Sequence, residues 1–184
     1  MTKKYCVVNT MDVKSIMNGG RLFDAKNDAV RHNGVLGYVG GLKEGELHIR
    51  DFHLATEESI RTQLPMIVSQ AEVNYDESRR SMSMTGNYEI IEGQAFNVVP
   101  LSINDTIEVS ADLIVGDDIK VGSIVKQTEG GGLAKAEVAP NTDEAKAYFK
   151  VVSARESFIG QEPFGHGKVT APAPKMYAIE LVLA

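Results

Sequence analysis

The chain carries four histidines, His32, His48, His53 and His166, and acid–base or metal chemistry would begin with them. His48 and His53 bracket Asp51 in the run HIRDFH, two imidazoles and a carboxylate near enough in sequence to suggest a cation site. On a strand, however, a spacing of five sends the two rings to opposite faces. The pattern therefore predicts exposed strand histidines. His166 lies in Phe164-Gly165-His166-Gly167, a loop setting in which histidines do act as bases, but no adjacent carboxylate or serine orients it. His32 precedes Asn33-Gly34 and reads as a solvated loop residue. Asp112, Asp117 and Asp118 offer the oxygen ligands that calcium takes, without the Asp-x-Asp-x-Asp-Gly loop that would gather them. They read as turn acids. Gly130-Gly131-Gly132 follows a strand but opens no helix, so it lacks the dipole that holds phosphate and reads as a flexible hairpin tip. Arg79-Arg80 is a lone basic pair, read as solvated or as part of a protein contact. No G-x-S-x-G, H-E-x-x-H or G-x-x-x-x-G-K-[ST] pattern occurs. The residues assign no catalytic, cofactor-binding or metal site, and they turn the search toward a binding or structural role.

The totals agree with that direction. With 184 residues the chain can bury about 70% of its unfolded surface and needs no staple. Its single cysteine, Cys6, stands in the apolar run Tyr5-Cys6-Val7-Val8 and is expected to be a buried free thiol made in a reducing compartment. A net charge of −6 argues against binding nucleic-acid phosphates. No stretch reaches the ~20 apolar residues of a membrane span, and the apolar run near the N-terminus is too short for a signal peptide. Seventeen glycines and no tryptophan describe a turn-rich β protein.

The elements follow from periodicity. In Asp105–Lys126, Ile107, Val109, Ala111 and Leu113 alternate with Glu108, Ser110 and Asp112, which predicts one strand with a core face and a water face. Gly116-Asp117-Asp118 and Gly122 break it, and Ser123–Lys126 resumes an extended run. Lys4–Asn9 is a strand candidate. Met11–Asn18 is expected to be one short helix, with Thr10 as N-cap and Gly19-Gly20 as its stop. Val35–Val39 is a strand whose internal Gly37 implies a bulge or a close backbone approach. Residues 55–63 suit either a helical turn or coil. Pro65–Ser69, Phe96–Val99, Leu133–Val138, Ala147–Ala154 and Lys175–Leu183 read as strands. Asp76–Gly86 reads as an exposed loop, and 155–174 is too rich in glycine and proline for regular structure. The expectation is an all-β protein, mainly antiparallel, with one short helix near the N-terminus. It divides into a β-rich region 1–100 and a small barrel- or sandwich-like region 101–184.

Three stretches, taken in order, carry a resemblance. They are Met17-Asn18-Gly19-Gly20-Arg21-Leu22-Phe23-Asp24, then Val68–Glu77 ending in Tyr75-Asp76-Glu77, then Val121–Lys126 with Phe149-Lys150-Val151-Val152 and Lys175–Leu181. This order resembles the capsid decoration, or cement, proteins of tailed bacteriophages, especially those infecting Gram-positive hosts. The resemblance implies an all-β fold, no catalysis, no cofactor, and attachment to the major capsid protein on the outer surface of the virion. It implies no membrane or nucleic-acid partner and leaves room for a homo-oligomer. Within 157–174, Phe158, Ile159 and Phe164 are apolar residues on a long broken segment, suited either to docking on a neighbour or to capping one end of the C-terminal β region. With Arg79 and Arg80 they are the candidate contact residues. The alternative is a host-surface or glycan-binding module, or the base of a head fibre, with Tyr38, Phe52, Tyr88, Phe158 and Phe164 as an aromatic sugar platform.

Overall fold

The computed structural model of the chain describes residues 8–17, 22–71, 89–137, 140–141, 143–156 and 175–183. In chain order its elements are β1 (Val8–Asp12), α1 (Lys14–Met17), β2 (Phe23–Lys26), β3 (Leu36–Leu42), β4 (Arg50–Leu54), α2 (Glu57–Thr62), β5 (Met66–Val68) and β6 (Phe96–Pro100). The second half supplies β7 (Thr106–Ser110), β8 (Ile114–Val115), β9 (Ile124–Gln127), β10 (Leu133–Lys135), β11 (Ala147–Glu156) and β12 (Lys175–Leu183). Five strands close a barrel in the order β2-β4-β3-β5-β6, with β2 parallel to β4 and the other four pairings antiparallel. The other seven form a sheet in the order β1-β7-β12-β11-β9-β10-β8.

The protein is all-β with a short helix near its N-terminus, as its alternating patterns predict. The closed barrel, however, is built from residues 23–100, and the C-terminal region is the seven-stranded sheet. β1 crosses that division by pairing with β7. A second helix, α2, forms although Ile60 is its only buried side chain. Its start is fixed by a capping box. Thr56 Oγ1 accepts from the Ser59 amide, and Ser59 Oγ accepts from the Thr56 amide. Glu57 and Glu58 fill the first turn, and Glu57 pairs with Arg61 one turn on. The predicted helix Met11–Asn18 starts only at Lys14, because residues 8–12 are committed to β7, and Asn18, Gly19 and Gly20 lie outside the described residues. Asp105, rather than Thr10, supplies the side-chain cap: its Oδ1 accepts from the Lys14 amide at 3.2 Å.

The strand predicted through Leu113 also stops early. β7 ends at Ser110, and a short 3-10 turn, Ala111–Leu113, follows. That turn directs Leu113 onto Gly34, where an added Cβ would sit 2.3 Å from a Leu113 methyl carbon. Gly37 makes the close approach expected of it, since a Cβ there would lie 2.4 Å from the His53 carbonyl oxygen. The pairing of β3 with β4 shifts register between Val39 and Leu42, which is the bulge.

The barrel interior holds Ala25, Val35, Phe52, Val68, Phe96 and Val98, with Phe52 and Phe96 edge to face at 5.5 Å. A larger core joins barrel and sheet: Leu36, Ile67, Val99 and Leu101 meet Ile107, Val109, Val125, Phe149, Ile179 and Leu181. A smaller cluster packs Tyr38, Ala55 and Ile60 against Ala145 and Tyr148. Tyr38 donates its hydroxyl proton to Gln127 Oε1 at 3.1 Å, and burial pushes the phenol pKa up.

The triglycine is docked rather than loose. Residues 129–131 form a 3-10 turn, the Gly130 amide donates to the Ala55 carbonyl at 3.0 Å, and Gly131 is buried on β3. Both glycines have positive φ, at +75° and +87°. A Cβ at Gly130 would meet open space, whereas one at Gly131 would stand 2.5 Å from the Leu36 carbonyl oxygen. Gly130→Ala is expected to cost about 1 kcal/mol through left-handed strain alone. Gly131→Ala is expected to cost roughly 3 kcal/mol by adding backbone overlap to the same strain. Urea denaturation of both variants measures the difference, and equal losses would mean that the tip is not held against the barrel.

Candidate functional site

The outward face of β7, β12 and β11 carries the most ordered polar constellation among the described residues. Period two on β7 turns Ile107 and Val109 into the core and leaves Thr106 and Glu108 on the other face. Glu108 stands opposite Ala178 on β12, and β11 lies beyond. Because Ala178 is small, Arg155 on β11 reaches across β12 to Glu108. Arg155 Nε donates to Oε1 at 2.9 Å and Nη2 donates to Oε2 at 2.6 Å. Asn9 Nδ2, from β1, donates to Oε2 at 3.2 Å. Four neighbouring strands are thus tied across their outer face, around a cavity of about 390 Å³ lined also by Asp12 and Thr106. The hydrogen bonds from Arg155 hold the Glu108 carboxyl below its ordinary value of 4.5, and Glu108 raises the Arg155 pKa in return. A carboxylate so engaged is a poor proton acceptor. The arrangement is suited to fixing strands and to polar contact, and it offers no activated nucleophile.

A second cleft, of about 310 Å³, lies between the barrel and the triglycine turn and is lined by Arg31, His32, Val35, Leu54, Leu113 and Glu129 among others. Arg31 is bound to Glu92 at 2.9 Å, and His32 Nδ1 lies 3.0 Å from the Asn33 carbonyl oxygen. His32 is half-buried rather than freely solvated, because Asn33 beside it is buried and bonded through its side chain to both backbone groups of Gln70.

The residues singled out by type do not converge. His48 and His53 are both exposed, but only His53 is on a strand; its ring lies over Gly40. Asp51 points to Lys43 at 3.8 Å. Asp118 pairs with Lys120 at 2.7 Å, and the carbonyls of Asp117 and Asp118 accept from Lys135 Nζ. Among the described residues no three His, Cys, Asp or Glu side chains come together as a metal site. Tyr38 and Phe52 are buried and so cannot serve in an aromatic sugar platform. Tyr88, Phe158, Ile159, Phe164, His166, Arg79 and Arg80 lie outside the described residues. Sequence reasoning missed the Asn9–Glu108–Arg155 network. Alternation places Glu108 on the outer face, but nothing local announces that Arg155 shares its register.

The fold defines a class, an all-β protein in which a five-stranded barrel and a seven-stranded sheet share a core. No family model, no curated protein and no solved structure matches the chain.

Because the folded pKa of Glu108 is depressed, its contribution to stability is fully present above the ordinary carboxyl range. It is lost as pH falls through the lowered folded value. Glu108→Gln is expected to lower Tm by roughly 1–3 °C at neutral pH, the scale of a solvent-exposed pair. That gap should hold down to about pH 5, then close as pH falls further and the wild-type carboxylate is protonated. Calorimetry of both proteins between pH 7 and pH 3 tests this, and a gap that persists undiminished at pH 3 would refute the charge-based account.

Proposed function

We propose that this chain is a structural virion protein, a capsid decoration or cement protein that binds the outer surface of the major capsid protein and stabilises the head. The reading rests first on the order of stretches that resembles the decoration proteins of tailed phages. One structural observation supports it. Residues 157–174 begin and end at directly paired neighbours, Glu156 on β11 and Lys175 on β12. Residues 69–95 likewise connect β5 to β6, which are paired neighbours in the barrel. Connections of this length between adjacent strands are far beyond the 2–5 residues of an ordinary hairpin, and such excess usually serves recognition.

In this reading Phe158, Ile159 and Phe164, together with Arg79 and Arg80, contact the capsid. Ordering a segment costs about 1–2 kcal/mol per residue in backbone entropy. Burying two phenylalanines and an isoleucine returns only about 1.5–3 kcal/mol each. Full docking therefore needs the further contacts that a lattice supplies. The location that follows is the outer capsid surface.

Co-sedimentation of the purified chain with empty phage heads, against host cell-wall fragments, is the direct test. The expected result is binding to heads, at a copy number equal to the capsid subunits or a simple fraction of them. Phe158→Ser/Phe164→Ser is expected to weaken binding at least tenfold while leaving Tm within a few degrees of wild type. Residues 157–174 are expected to gain hydrogen-exchange protection on the head. Binding to cell wall and not to heads would give the chain to the host-surface or glycan-binding alternative.

A further inference from the structure

Ten large apolar side chains are exposed among the described residues, and six of them share one end of the barrel, so their exposure is concentrated rather than scattered. Pairing directions establish this. β6 runs antiparallel to β2 with Phe23 opposite Val98, so the C-terminus of β6 and the N-terminus of β2 lie at the same end. β4 is parallel to β2 and starts at that end too, and β3, antiparallel to β4, finishes there. These four strands are consecutive neighbours around the closed barrel. α1 is held to the C-terminus of β6 by a hydrogen bond from Ser15 Oγ to the Pro100 carbonyl at 2.9 Å. Around this one rim stand Ile16 and Met17 on α1, Ile103 after β6, Leu22 before β2, and Leu42 and Leu47 on the β3–β4 hairpin. Leu47 is 93% exposed, Met17 67% and Leu42 56%.

Most of the basic groups on this rim are engaged locally. Lys43 lies 3.8 Å from Asp51 and Lys26 lies 3.9 Å from Glu46. Lys14 Nζ donates to the Ile103 carbonyl at 3.3 Å. Arg50 lies over the Phe23 ring and donates to the Gly40 carbonyl. With Asp24 on β2 and Glu44 on the β3–β4 hairpin, both exposed, four basic and four acidic side chains stand here, so a partner chosen by charge would find no excess of either sign to read. The chain as a whole carries −6, so two copies repel each other in general. At a charge-balanced apolar rim they can meet without like charges opposed. An apolar patch is also self-complementary, which is what an isologous contact needs. Six such side chains expose several hundred Å², a large part of the ~800 Å² each partner buries in a stable complex.

We propose that this rim is a self-association surface on which two copies of the chain meet about a two-fold axis. The proposal does not rest on the virion reading. Analytical ultracentrifugation of the full chain across a concentration series tests it. The expected result is a reversible two-chain particle for the wild type. Leu47→Glu with Met17→Glu, two exposed positions whose change leaves the core intact, is expected to raise the dissociation constant roughly a hundredfold or more. Val121→Glu, 60% exposed in the turn before β9 and away from this rim, is expected to leave it unchanged. A wild-type chain that remains monomeric at several hundred micromolar would overturn the proposal. So would a dimer indifferent to the Leu47/Met17 pair, or one abolished by Val121→Glu. A monomeric chain whose Leu47/Met17 variant fails to bind phage heads would assign the rim to the capsid instead, and would leave the virion reading standing.

Discussion

Part of the barrel must be apolar on both of its faces. β3, β5 and β6 turn Val39, Val68 and Val98 inward with Phe96, while Leu36, Ile67 and Val99 on the same strands point outward into the core shared with the sheet. A strand buried on both sides cannot alternate polar with apolar residues. This is why Val35-Leu36, Met66-Ile67-Val68 and Val98-Val99 are unbroken apolar runs. Each fully buried side chain of this size contributes about 1.5–3 kcal/mol, and removing one from such a double-sided layer opens a cavity toward two cores at once. Other features accommodate that layer. Gly37 lets β3 approach β4, Gly34 admits Leu113, and Gly131 brings the β9–β10 connection down onto Leu36.

The second condition is polar. Asp105 is only 2% exposed, and a buried carboxylate is tolerable only when its oxygens are bonded. Oδ1 accepts from the Lys14 amide and Oδ2 from the Ser102 amide at 2.7 Å. The Asp105 backbone is bonded as well: its amide donates to the Ser102 carbonyl and its carbonyl accepts from the Leu181 amide. The preceding Asn104, in the left-handed region at φ +66°, donates its amide to the Leu181 carbonyl. One residue therefore fastens the link between barrel and sheet, the start of α1 and the end of β12. An apolar substitute would leave the Lys14 and Ser102 amides without this acceptor.

Period-two patterns and apolar runs made most of the strands legible. Local chemistry decides what periodicity left open at 55–63, and it went unread there: Thr56 and Ser59 form the capping box that starts α2, although its apolar face is thin. What stayed hidden was pairing between distant segments. Ala111 continues the alternation of Ile107 and Val109, yet the strand ends before it in a 3-10 turn that sets Leu113 against Gly34, a residue far away in sequence. Nothing near Val8–Asp12 says that its partner is β7, and that pairing is what moves the start of the expected helix to Lys14. The same gap hid the Glu108–Arg155 clamp, since its two ends are 47 positions apart and meet across a third strand. The triglycine misled for a related reason: its composition allows mobility, but the carbonyl of Ala55 and the wall of β3 hold it still.

The clamp and the strand pairing beneath it bear on how a long hairpin connection can take part in recognition. β11 and β12 stay in register from Ala147 opposite Leu183 to Glu156 opposite Lys175, with one irregularity after Val151. Their inward residues Phe149, Val151, Ile179 and Leu181 are locked in the main core. Near the far end, Arg155 is fixed to β7 through Glu108. The two ends of 157–174 are therefore held side by side by the fold before any partner arrives. The entropy of bringing those ends together is already met in folding. Rigidity at the root and length beyond it are complementary: the core fixes where contact residues start from, and the connection sets how far they reach. In the proposed virion role, that division lets a stable β body be placed on a lattice without altering its own packing.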